Sequence, residues 1–147
     1  IITRLNFGKT DVIQMLNGAI GGLVAITAEP LMPSPLAAIL IGGVGGIIVV
    51  YGTKFLLSMK IDDVVGAIPA HLFAGIWGTL AVPITNSGAK FGTQLLGVIA
   101  INGTVFVVSL IIWAIMKNTI GIRLSKEGET KGTDVTETGV IAYAIRD

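Results

Sequence analysis

His71 is the only histidine in a chain of 147 residues. It stands in an apolar stretch that opens on a carboxylate pair, Asp62 and Asp63, and continues through Pro69, Gly75 and Gly78. An imidazole donates, accepts or relays a proton near neutral pH. An ionisable group set in hydrocarbon-like sequence is costly enough to point to function. Ala67, Ala74, Gly75 and Gly78 recur around it at helical spacing, so a small molecule or a second helix can approach the ring closely. Two roles fit these residues: a histidine that lines a pore or relays a proton, and a structural histidine hydrogen-bonded between helices. Asp62 and Asp63 fit cation attraction at the mouth of such a pore, and more simply the N-cap and first-turn acid of the helix that follows. Glu29 reads the same way, as a cation attractor or, more simply, a solvated loop charge. No Ser or Cys stands with His71 in a nucleophile motif. A single histidine without cysteine supplies too few ligands for a metal or haem. No catalytic residue, metal site, cofactor or enzymatic activity is therefore expected.

The elements that must carry these residues are membrane helices. The chain is 52% hydrophobic and only 13% charged, with a mean hydropathy of +0.85. Soluble domains carry about 25% charged residues. Net charge is +1, which gives no footprint for nucleic acid, and the absence of cysteine excludes disulfides. Four continuous apolar runs, at about 12–28, 36–57, 64–84 and 91–120, approach or exceed the roughly 20 residues that cross a bilayer. They do not alternate as barrel strands would. The fold class expected is all-α, a polytopic transmembrane helix bundle over 1–120, with a polar tail at 121–147.

Breaks between the runs have physical causes. Pro30, Pro33 and Pro35 end the first run, and Asn86, Ser87 and Gly88 make a turn after the third. Counted from Val64, His71 lies a third to halfway along its run, near the membrane midplane. Pro69 is expected to free the Val65 carbonyl and bend the helix there. Glycine is abundant, at 20 residues. The glycine faces of the first two spans are expected to need helix partners from outside this chain. Trp77 and Trp113 read as interface anchors or core. With four spans, every Lys and Arg except Lys90, from Arg4 to Arg146, falls on one side, which marks that side as cytoplasmic. The chain opens on Ile1 with no signal-peptide pattern ahead of its first span, so a segment of a longer polypeptide is expected. A short apolar patch near the end, around Val140 and Tyr143, is suited to docking.

Four motifs in order carry a resemblance to the ammonium transporter family (Amt/Mep/Rh). Asn17, Gly18 and Ala19, followed by Leu23 to Ala28, resemble its eighth helix. Asp62, Asp63, Gly66, Ala67, His71, Gly75 and Gly78 resemble its tenth. Ile120, Gly121, Ile122 and Arg123 resemble the close of its eleventh, and Gly132, Asp134, Ala142 and Tyr143 resemble its tail. The resemblance implies the last four helices and cytoplasmic tail of an eleven-helix fold in the cell membrane. It implies a homotrimer with a separate hydrophobic pore in each subunit, lined by two histidines. His71 matches the second histidine, and Ala67 falls at a pore-wall position. The substrate implied is ammonium, recruited outside and deprotonated before NH3 crosses, with a PII-type regulator meeting the tail. Thr138 and Val140 depart from the tail pattern where a histidine and an acid are common, and Ala70 replaces a common valine. Two other functions stay open: an ammonium sensor or regulatory module of the same fold, and a segment that does not transport by itself.

Overall fold

A computed structural model describes residues 1–142; Tyr143 and Arg146 lie outside the described residues. It is helical, without a strand among the described residues. In chain order the helices are α1 (Ile2–Phe7), α2 (Val12–Ile26), α3 (Pro35–Ser58), a π-helical turn (Ile68–Phe73) that runs directly into α4 (Ala74–Thr85), α5 (Phe91–Thr119), α6 (Lys126–Lys131) and a second π-helical turn (Asp134–Thr138). The chain divides into two units at Asn102 and Gly103. Among the described residues, three helical runs are long and apolar enough to cross a membrane: Pro35–Ser58, Ile68–Thr85 and Phe91–Thr119. The first expected span forms a shorter helix of 15 residues, about 22 Å at the α-helical rise.

α2 and α3 each start on a side-chain cap. Asp11 accepts from the Gln14 N–H at 3.0 Å, and Ser34 from the Ala37 N–H at 3.3 Å. Pro35 occupies the first turn of α3, where its missing N–H costs nothing. α3 then runs apolar all round, as a helix surrounded by protein or lipid does.

The first unit is held by glycine. A methyl group on Gly22 would meet the Gly42 carbonyl oxygen at 3.1 Å, and one on Gly46 the Gly18 oxygen at 3.2 Å. One on Gly45 would meet the Gly21 oxygen at 2.7 Å. These pairs run in opposite directions, so α2 and α3 form an antiparallel hairpin in backbone contact. The glycine faces of the first two spans thus serve each other, contrary to the expectation of outside partners. The cause is the connection at residues 27–34, short enough to fold α3 straight back along α2. α4 packs against both α2 and α3, parallel to α2, with Gly78 directly against Ala25. The core joins Ala25, Ile41 and Ala81, with Trp77 against them. Trp77 Nε1 donates to the Ile41 carbonyl at 3.0 Å, which makes it a core residue rather than an interface anchor. No residue of α5 is buried, and Trp113 on it is 56% exposed.

The tail in the second unit is more ordered than a polar linker. Ser125 caps α6 through the Gly128 N–H at 3.1 Å, and Arg123 pairs with Glu129 at 2.7 Å. Asp134 accepts from the Ala142 N–H at 2.8 Å. That bond, with a second from Val135, holds its carboxyl below the usual range.

Candidate functional site

Asp63 begins the site. Its two carboxylate oxygens accept from the Ala67 N–H at 2.9 Å and the Ile68 N–H at 2.8 Å. Gly66 takes a left-handed φ of 73°, which glycine adopts without strain, and its N–H returns to the Asp63 carbonyl at 3.1 Å. Residues 64–67 are thereby spent on a capped turn, and the helical run starts at Ile68 rather than at Val64. Pro69 then falls in the first turn, where it displaces no helical hydrogen bond. The Val65 carbonyl, expected to be freed inside a helix, instead accepts from Asn17 Nδ2 on α2 at 2.8 Å. Asn17 is a positioning residue that sequence reasoning passed over. Its signal was an amide inside an apolar run, which in a membrane must find a partner.

His71 sits one turn into this run, about 4.5 Å along the axis from Ile68, not a third to halfway along it as expected. It lies in the π-helical turn Ile68–Phe73. Such turns are rare and occur frequently at functional sites. The wider turn also changes which residues share a face. Ala74 and Gly78 are buried, and both face α2: a methyl on Gly21 would meet Ala74 Cβ at 3.5 Å, and Gly78 abuts Ala25. His71 faces away from α2, exposed, and among the described residues its ring has no hydrogen-bond partner. It lines a cavity of about 290 Å3 between α4 and the first half of α5. Leu72, Gly75 and Ile76 continue the α4 wall to Thr79; Gln94, Gly97, Val98, Ile101 and Asn102 form the α5 wall. Thr79 Oγ1 donates to the Gly75 carbonyl at 2.9 Å, and Asn102 Nδ2 to the Val98 carbonyl at 2.8 Å. Thr79 and Asn102 are tied back to their own helices, Gln94 is the third neutral polar side chain, and His71 is the ionisable group of a wall that is mostly apolar.

The other expected site residues separate from it. Ala67 is exposed and lies outside this cavity lining, with its N–H held by Asp63. Asp62 is exposed, while Asp63 is half-buried under its two hydrogen bonds. The pair is thus split, and the capping is done by Asp63. Replacing Asp63 with alanine should cost about 1–2 kcal/mol, as loss of a helix cap does, while Asp62→Ala should stay within about 0.5 kcal/mol. Thermal unfolding of the two variants side by side checks this, and equal losses would contradict it.

Among metal-ligating side chains, no group of three or more comes together in the described residues. What the cavity can do is hold a small, weakly polar molecule beside one imidazole.

Comparison with known proteins shows the family of the chain. The pattern that defines the Ammonium Transporter Family matches residues 1–143. The chain is similar to ammonium transporter Amt2 of Archaeoglobus fulgidus, at 40% identity over 97% of the chain and 35% of that protein. It is also similar to ammonium transporter Amt1 of Haloferax mediterranei, at 35% identity over 92% of the chain and 27% of that protein. A solved structure titled Sensor Amt Protein superposes with a TM-score of 0.84 at 30% identity, covering 93% of this chain and 37% of that one. The chain thus spans about a third of the length of the relatives it matches.

Proposed function

Because the chain belongs to the ammonium transporter family, we propose that it forms part of a membrane protein that conducts ammonium, as NH4+ or NH3, along a narrow apolar path with His71 in its wall. The observation that carries this is the exposed His71 ring on an otherwise mostly apolar cavity of about 290 Å3. A dehydrated ammonium ion in such surroundings is costly, whereas neutral NH3 is not. An imidazole with no partner among the described residues is available to hydrogen-bond the neutral species or to take its proton. Ala67, one turn earlier, is a second wall position of the path, and Asp62 and Asp63 stand at its cytoplasmic mouth. The remaining walls come from the rest of the protein, of which this chain corresponds to about a third by its relatives. The test is uptake of labelled methylammonium by the complete protein in vesicles; no uptake above empty vesicles would refute conduction.

The proposal includes the bilayer topology. α2 spans with the three longer helices, 1–120 is the membrane part and 121–147 the tail. α2 starts, α3 ends and the run into α4 starts at one end of the hairpin bundle, and Arg4, Lys9, Lys54 and Lys60 gather near that end, which the positive-inside rule makes cytoplasmic. A reporter active only in the cytoplasm, fused after Asp147 in the complete protein, should be active; a fusion silent there and active at Ser87 would overturn the orientation. A homotrimer in the cell membrane and a PII-type regulator meeting the tail complete the proposal.

A second reading is favoured by the superposition on a structure titled as a sensor: the same fold detects ammonium rather than passing it. Ammonium binding without flux in vesicles would select it.

A further inference from the structure

The end of the bundle away from His71 contains a second polar site. Glu29, in the connection between α2 and α3, is half-buried rather than a solvated loop charge. Asn86 Nδ2 donates to its Oε1 at 2.7 Å. Asn86 is itself fixed, with its N–H on the Val82 carbonyl at 3.0 Å and its Oδ1 accepting from the Gly88 N–H at 2.8 Å. The second carboxylate oxygen, Oε2, is buried and, among the described residues, accepts no hydrogen bond. Glu29 lines a cavity of about 10 Å3 with Ala25, Ile41, Gly78, Ala81 and Thr85 among its walls, and no Lys or Arg lines it.

A carboxylate only accepts hydrogen bonds, so whatever satisfies Oε2 must donate one or carry positive charge. A volume of about 10 Å3 admits one particle of water size. A water would satisfy the oxygen and leave the charge; a cation of similar size does both, and an uncompensated charge out of water is costly. Calcium takes six to eight oxygen ligands and magnesium a near-ideal octahedron, and these walls supply far fewer side-chain oxygens, Glu29 Oε2 and Thr85 Oγ1. We propose that Glu29 and Thr85 form a binding site for one small monovalent cation, of ammonium or potassium size, where the ends of α2 and α4 meet. The site lies about 20 Å along α4 from His71 at the α-helical rise, and the proposal stands whether or not His71 lines a conduction path.

The test is the melting temperature of the complete purified protein in ammonium, potassium or tetramethylammonium chloride at equal ionic strength. The wild type should show a saturable rise with the two small cations and none with tetramethylammonium, which the cavity excludes. Glu29→Gln keeps an acceptor for Asn86 and removes the charge, so its rise should disappear. Thr85→Val keeps the shape and removes one oxygen, so its half-saturation should weaken about threefold to tenfold, as loss of one hydrogen bond does. A wild type that does not distinguish the salts, or a rise that survives Glu29→Gln, would overturn the proposal. If Glu29→Gln fails to fold, an unchanged half-saturation in Thr85→Val has the same force.

Discussion

Replacing His71 with alanine in the complete protein should change ammonium conduction by about tenfold or more while leaving thermal stability nearly untouched. The scale follows from one hydrogen bond to a charged or strongly polar partner, about 1.5–3 kcal/mol, since each 1.36 kcal/mol on a barrier is a factor of about ten in rate. The small stability change follows from the surroundings of the ring. A structural histidine would leave its partner orphaned when truncated, at about 1–3 kcal/mol. His71 is exposed and, among the described residues, has no partner to orphan, so the loss should stay within the roughly 0.5 kcal/mol typical of exposed positions. His71→Glu is the sharper contrast. A fixed negative charge holds a cation where imidazole hydrogen-bonds a neutral molecule, so selectivity should shift toward charged species. Methylammonium uptake and its competition by ammonium, measured beside the unfolding temperature, separate the two roles. Unchanged uptake and selectivity with a lowered melting point would remove His71 from the path.

Much of the fold is written in hydropathy. The runs that become α2, α3 and α5 show their bounds within two residues, because prolines and a turn of Asn86, Ser87 and Gly88 interrupt otherwise unbroken apolar sequence. The start of the helix that carries His71 is not legible that way. Val64 to Ala67 are apolar or small enough to read as helix, yet Asp63 caps the backbone at Ala67 and Ile68, and Gly66 turns through a left-handed conformation. A cap that reaches four and five residues ahead is invisible to periodicity. The same displacement separates His71 from Ala74 and Gly78, which helical spacing had put on its face. Pairing between helices was also misjudged. Glycine content announces close contact, but only the loop at residues 27–34 decides that α2 meets α3 and not an outside helix. Glu29 looked like a solvated loop charge because Asn86, its partner, is 57 residues away in sequence.

That glycine seam gives the largest expected loss of stability. Gly78 lies directly against the Ala25 backbone, so a methyl group there cannot be relieved by turning a side chain; α4 must move off α2. Overpacking of a fitted core costs about 1–3 kcal/mol, and Gly78→Ala should reach or exceed the top of that range because the obstruction is main chain. Gly45→Ala should follow, since its methyl would meet the Gly21 oxygen at 2.7 Å and Ala25 Cβ at 2.8 Å. Gly43 is the control. It is on the same helix as Gly45, with nothing within 4 Å of an added methyl. There the substitution only replaces a poor helix former by the best one, worth up to about 1 kcal/mol in the favourable direction. Unfolding of the three variants in one membrane mimetic reads the difference. If glycine served only to lower helix propensity, all three substitutions would stabilise alike. If the seam holds α2, α3 and α4 together, Gly78→Ala and Gly45→Ala should loosen the bundle while Gly43→Ala tightens it. Because α4 follows directly from the turn that presents His71, the two loosened variants should also alter conduction without touching the cavity wall. A Gly78→Ala protein as stable as wild type would contradict the backbone contact on which this packing rests.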